Sequence, residues 1–201
     1  MQEIIEKHEG QESIDESLKA LLEAILMASE VPLSLREILS ILESEAYGES
    51  DIIRALFELE HHYRQAKGGI ELVEVASGWR FQVPERFAPW VGKLFEARQQ
   101  RYSTAFFETI ALIAYQQPVT RGDIEAVRGV AVNSNIIKTL EDREWIKVVG
   151  RKETPGRPIL YGTTEQFLDD FNLKSLKELP PLPELETLFK ELAGEEEDLV
   201  I

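Results

Sequence analysis

The 201-residue chain has no cysteine. That removes a disulfide framework, a thiol nucleophile and any thiolate metal site, and it suits a reducing compartment. Histidine is nearly as scarce, with only His8, His61 and His62. The adjacent pair projects from different sides of one helix and His8 stands apart, so no ligand spacing for a metal is present. No apolar run approaches the roughly 20 residues that a membrane span needs. The opening MQEIIEKHEGQESIDES lacks the apolar centre of a signal peptide. No phosphate loop of the G-x-x-x-x-G-K-[ST] type occurs. The paired carboxylates Asp169-Asp170 read as the solvated face of a short helix rather than as an acid–base pair. These absences leave no catalytic constellation, so the expectation is a non-enzymatic protein without metal or cofactor. Basic residues are also in deficit, 22 against 37 acidic, for a net charge of −15. Such a surface repels nucleic acid at long range.

What the chain does have is helical periodicity with clear punctuation. TAFFETIALIAY is apolar on nearly all sides and reads as a core helix. It stops at Gln116-Gln117-Pro118, because proline disfavours helix in the residue before it. Thr120 and Asp123 have capping-box spacing and open a second helix through Val127. Gly129 suits a left-handed helix end. Asn133 or Ser134 starts a third helix, with Ile136, Ile137 and Leu140 on one side. Two β-rich runs follow, Ile146–Val149 and Ile159–Tyr161, around a Pro/Gly-rich loop. Three helices and then a hairpin is the winged-helix arrangement.

The first half repeats this order. Leu18, Leu21, Leu22, Ile25 and Leu26 recur at helical spacing. Ser34 and Glu37 form a second capping box, Ser50 opens a helix through Leu59, and Ile70–Val75 with Trp79–Val83 alternate as strands about Ser77-Gly78. Pro32-Leu33-Ser34 corresponds to Pro118-Val119-Thr120, 86 positions on, and Ser50–Leu56 resembles Ser134–Leu140, 84 positions on. The expected fold class is therefore α+β, mainly α, with two tandem winged-helix domains. Residues 1–16 form an acidic lead-in, 17–98 the first domain, 99–102 a linker, 103–173 the second domain, and 174–201 a Pro-containing, acidic, flexible tail. Phe87, Val91, Leu94 and Phe95 predict an extra helix between the hairpin and the linker.

Winged helices often read DNA through the third helix, which then carries outward Arg, Lys, Asn or Gln. Here Asp51, Glu58 and Glu60 occupy the first such helix and Glu141, Asp142 and Glu144 the second. One basic cluster exists, Lys147, Arg151, Lys152 and Arg157, around the second wing. The balance favours protein binding over DNA reading. A DNA-binding transcription regulator is the alternative, and an unrelated interaction adaptor a further one. The opening helix is apolar nearly all round, which predicts self-association through Leu18, Leu21, Leu22 and Ile25.

The strings IALIAYQQPVTRGDIEAVRGV and VVGRKETPGRPILYGTTEQFLDDF closely resemble segregation and condensation protein B, as do LLEAILMASEVPLSLREI and NLKSLKELPPL. The likeness runs from Leu18 to Leu182. It implies a non-enzymatic, homodimeric subunit of the bacterial condensin-like complex, joined through the first winged helix. Its implied partners are the kleisin, segregation and condensation protein A, and through it an SMC ATPase. The implied location is the cytoplasm, at the nucleoid, with no strong direct DNA binding and no membrane contact. The implied role is chromosome condensation and partition. Within the second wing, Arg151, Lys152, Pro155 and Arg157 are the expected kleisin contacts, since the loop is stiffened by proline and positively charged on an acidic protein.

Overall fold

The computed structural model describes residues 16–43, 47–94, 101–181 and 199–200. The chain divides into two compact units, one of residues 1–74 with 78–88 and the other of residues 75–77 with 89–201.

In the first unit, α1 (Glu16–Ala28) buries Leu18, Leu22 and Leu26, one side chain per turn. Pro32 follows its end, and Leu33 pairs in isolation with Trp79, each backbone N–H donating to the other's carbonyl at 2.9 Å. Ser34 then caps α2 (Leu35–Ile41): the Glu37 N–H donates to its Oγ and the Ser34 N–H donates to the Glu37 carboxylate at 2.8 Å. Helix α3 (Glu49–Ala66) starts one residue earlier than Ser50, because Asp51 receives the Gly48 N–H at 3.0 Å and so fixes Gly48 as the cap. It buries Ile52, Ala55, Leu56 and Leu59 against α1 and α2. Strands β1 (Glu71–Val75) and β2 (Gly78–Gln82) form the hairpin. Gly78 is required there: its φ is +149°, and a Cβ would lie 2.2 Å from the Leu33 carbonyl carbon and oxygen.

Glu85–Leu94 does not make the regular helix that its apolar spacing predicts. It forms a 3₁₀ turn, the four-residue α4 (Ala88–Val91) and another 3₁₀ turn. Pro89 and Gly92 interrupt any longer helix. Trp90 and Leu94 are exposed, and Phe95 lies outside the described residues.

In the second unit β3 (Arg101–Tyr102) stands where a linker was expected. Helix α5 (Thr104–Gln116) ends at Gln117, and a cis peptide joins Gln117 to Pro118. Val119 pairs in isolation with Tyr161, as Leu33 does with Trp79 in the first unit. Thr120 and Asp123 form the expected capping box of α6 (Arg121–Arg128), Gly129 closes it with φ +71°, and Asn133 caps α7 (Ser134–Asp142). Strands β4 (Ile146–Arg151) and β5 (Ile159–Thr163) pair antiparallel with an irregularity between Val148 and Gly150. Thr164 caps α8 (Glu165–Asp170). Trp145, Phe106, Ile110, Ile113, Ile124, Val132 and Leu140 make the core.

Two pieces of the expected flexible tail are ordered elements. Leu176–Glu178 is a 3₁₀ turn, and Leu179 packs on the second core while the Tyr115 hydroxyl donates to the Pro180 carbonyl. Leu199–Val200 form β6, antiparallel to β3. The acidic lead-in before Glu16 and the acidic run Glu195–Asp198 lie outside the described residues.

Candidate interaction surfaces

The second hairpin combines three features. A four-residue turn, Thr154 to Arg157, is closed by the Arg157 N–H donating to the Thr154 carbonyl at 2.8 Å, with Pro155 and then Gly156 (φ +84°) at its centre. That sequence suits a turn needing positive φ at its third position. The Lys152 N–H donates to the Pro158 carbonyl at 2.9 Å, and Arg151 donates to the Arg157 carbonyl at 3.2 Å. Arg151, Pro155 and Arg157 are therefore exposed on a loop that its own backbone has shaped. Beside them Val148 and Val149 are exposed, flanked by exposed Lys147. Val149 covers Gly162, where an added Cβ would meet its Cγ1 at 3.0 Å. The hairpin thus presents an apolar pair inside a positive rim.

Lys152, among the expected contacts, is engaged within its own unit. Its Nζ donates to Asp123 Oδ1 at 2.8 Å and Oδ2 at 3.2 Å, tying the wing to the cap of α6. That bond, with the Thr120 N–H and hydroxyl, holds the Asp123 carboxyl down at about 2, against an ordinary 3.8. Arg121, though exposed, is likewise engaged: it donates to Val132 O, to Ser134 Oγ and to Glu125, binding the α6–α7 loop.

In the first unit the expected self-association residues separate into two sets. Leu18 and Leu22 are 1% and 0% exposed within a single chain, so they belong to the unit's own core. The physical reason is α3, which packs on the side of α1 that carries them. Leu21 and Ile25 are half-buried at the edge of that core. Apolar surface is left open at Met27 on α1, Ile41 on α2 and Phe57 on α3, and of these only Phe57 lines a groove. Phe57 is 50% exposed and meets Trp79 edge-on at 5.6 Å. With Ile53, Arg54, His61 and Lys19 it lines a shallow groove of about 840 Å³. Lys19 bridges Glu16 and Glu58 at 3.0 and 2.9 Å there.

The remaining candidates resolve simply. His61 and His62 are both exposed, and no cluster of three or more metal-ligating side chains exists among the described residues. Asp169 is buried rather than solvated, and Asp170 accepts the Trp145 indole N–H at 2.7 Å, so the two are not a paired site. Glu58, Glu141 and Asp142 are exposed on the third helix of each unit. No helix among the described residues is long and apolar enough to cross a membrane. Sequence reasoning missed Gln117. Its Nε2 donates to Ala114 O at 3.2 Å and Thr163 Oγ1 at 2.9 Å, while its Oε1 accepts the Thr163 N–H at 2.8 Å, locking α5 to β5. Its place directly before proline was the available signal.

Residues 20–182 match the family model described as segregation and condensation complex subunit ScpB. A segregation and condensation protein B homolog of Coxiella burnetii is 50% identical over 91% of this chain and 88% of its own length. Segregation and condensation protein B of Syntrophotalea carbinolica is 41% identical over 91% of this chain and 89% of its own. Among solved structures, ScpB from Mycobacterium tuberculosis is 32% identical over 80% of this chain and 99% of that one, at a TM-score of 0.38. With a model match across both units and relatives this similar over most of their length, the chain belongs to the ScpB family of segregation and condensation complex subunits.

Proposed function

We propose that this chain is a non-enzymatic subunit of an SMC–kleisin complex that condenses and partitions the chromosome during cell division, working at the nucleoid. The observation that carries this reading is the family match, which spans both units rather than one. Each unit is read as a winged helix: three helices, a hairpin wing, and a single bridge before the second helix. The partner is the kleisin, segregation and condensation protein A, and through it an SMC ATPase. The first domain, 17–98, serves self-association through the Phe57 groove together with the half-buried Leu21 and Ile25 of α1. The second domain, 103–173, serves the kleisin through Val148, Val149, Arg151 and Arg157.

Several features support a protein partner over DNA. The exposed acids on α3 and α7 repel phosphate where a reading helix would approach it. The hairpin's apolar centre and charged rim have the layout of a protein interface. The test is titration of the kleisin's middle segment into wild type, Val148→Asp and the double variant Arg151→Glu/Arg157→Glu. A rim charge is worth about 0.2–1 kcal/mol, whereas a well-packed apolar anchor costs about 2 kcal/mol or more. Val148→Asp is therefore expected to weaken binding the more. Unchanged affinity in every folded variant would move the kleisin surface off the wing.

A further inference from the structure

The chain's penultimate residues are built into the second unit. Val200 pairs with Arg101 and Leu199 with Tyr102, antiparallel. A ladder this short is marginal by itself, but the receiving strand is fixed. Tyr102 is 5% exposed. Its ring stacks on Phe106 at 4.2 Å, lies 6.4 Å from Trp145 and takes the Arg143 guanidinium over its face at 5.4 Å. The backbone of β3 is thus held by the core while its edge offers pairing groups outward, and an open edge of this kind is a template for another strand. Alongside it opens a groove of about 590 Å³ whose lining includes Tyr102, Phe106, Ile136, Asp142 and Arg143. A fixed edge next to a groove is the layout by which extended peptides add as a strand, with main-chain bonds giving affinity and alternate side chains giving selectivity. Leu199 and Val200 are of strand-forming type.

We infer that the β3 edge is a peptide-docking site which the chain's own segment Leu199–Val200 occupies in cis. This goes beyond the kleisin reading and does not depend on it. That segment covers an edge that would otherwise recruit a strand from another protein, and a competing extended apolar segment gains access only by displacing it.

The experiment uses the full chain, a chain ending at Asp198, and a full chain carrying Leu199→Pro and Val200→Pro, which removes both ladder donors. A labelled peptide of residues 191–201 is titrated into each. Covalent attachment gives a cis ligand an effective concentration that reaches the millimolar range. The full chain should therefore bind the peptide at least about tenfold more weakly than the other two. A peptide with both prolines should bind none of them. In the unaltered full chain, one of the Arg101 and Tyr102 amides should be protected from hydrogen exchange, a readout that needs no variant to fold. The inference is overturned by equal peptide binding to full and shortened chains, by no binding to the shortened chain, by binding that tolerates the prolines, or by an unprotected β3. A chain whose mass rises with concentration, and does so only when residues 199–201 are present, would place the pairing between copies and overturn the cis assignment.

Discussion

Replacing Lys152 by Ala should destabilise the second unit, and the loss should shrink in acid. Lys152 donates to Asp123 at 2.8 Å, and this is the largest cause of the carboxyl's fall from 3.8 to about 2. A lowered folded-state pKa adds stability that is fully present above about pH 4 and drains away as pH falls from 4 to 2. The difference between 3.8 and about 2 sets a ceiling of about 2.4 kcal/mol for all of Asp123's partners together. The Lys152 and Asp123 side chains are 43% and 38% exposed, so water screens them, and exposed pairs are worth about 0.2–1 kcal/mol. Lys152→Ala should then cost about 0.5–1 kcal/mol at pH 7. Asp123→Ala should cost about 1–2, because it also removes half of the α6 capping box. The double variant should reveal a coupling of about 0.5 kcal/mol at pH 7 and less at pH 3. Urea denaturation followed through the Ile113 and Leu140 amide resonances reports the second unit alone. A coupling below about 0.2 kcal/mol at pH 7, or one unchanged at pH 3, would refute the reasoning. The same result decides how wing variants are read, since any Lys152 change alters stability as well as charge.

Leu22→Asp should unfold the first unit rather than merely separate two copies, because Leu22 is 0% exposed in one chain; a loss above about 3 kcal/mol in urea denaturation is expected, and a folded monomer would contradict it. Gly78→Ala should cost more than about 1 kcal/mol, given its φ of +149° and the 2.2 Å approach to Leu33, read as a lowered first-unit transition. Gln117→Ala should cost about 1–3 kcal/mol in thermal unfolding, since it orphans the part-buried Thr163 N–H. Duplex DNA should bind poorly at physiological salt; submicromolar binding that falls steeply with added salt would show that the wing's charge outweighs the net −15.

Much of the local structure was legible because it is local. Ser34 with Glu37, Thr120 with Asp123, and Thr164 before Phe167 each satisfy a helix start within four residues. Proline and glycine positions marked the ends of α5 and α6. The 86-residue recurrence of Pro-x-Ser/Thr placed Leu33 and Val119 at equivalent points, and each makes the same isolated bridge. What was not legible depends on distant partners. The side of α1 that faces the core is chosen by α3, so Leu18 and Leu22 look no different in sequence from Leu21 and Ile25. Lys152 and Asp123 lie 29 residues apart, and nothing in a basic loop says that one of its cations is already engaged. The short helix predicted around Trp90 failed because apolar spacing outvoted Pro89 and Gly92. The strand at Leu199–Val200 was hidden because the acidic run before it suggested only solvation.

Co-expression with the kleisin and purification through a tag on that partner, followed by native mass measurement, tests most directly whether this chain works as a kleisin-binding subunit. A stable complex holding two copies of this chain is expected, with the Phe57→Glu variant carrying one. Purified kleisin free of this chain, with both proteins folded and soluble, would contradict it.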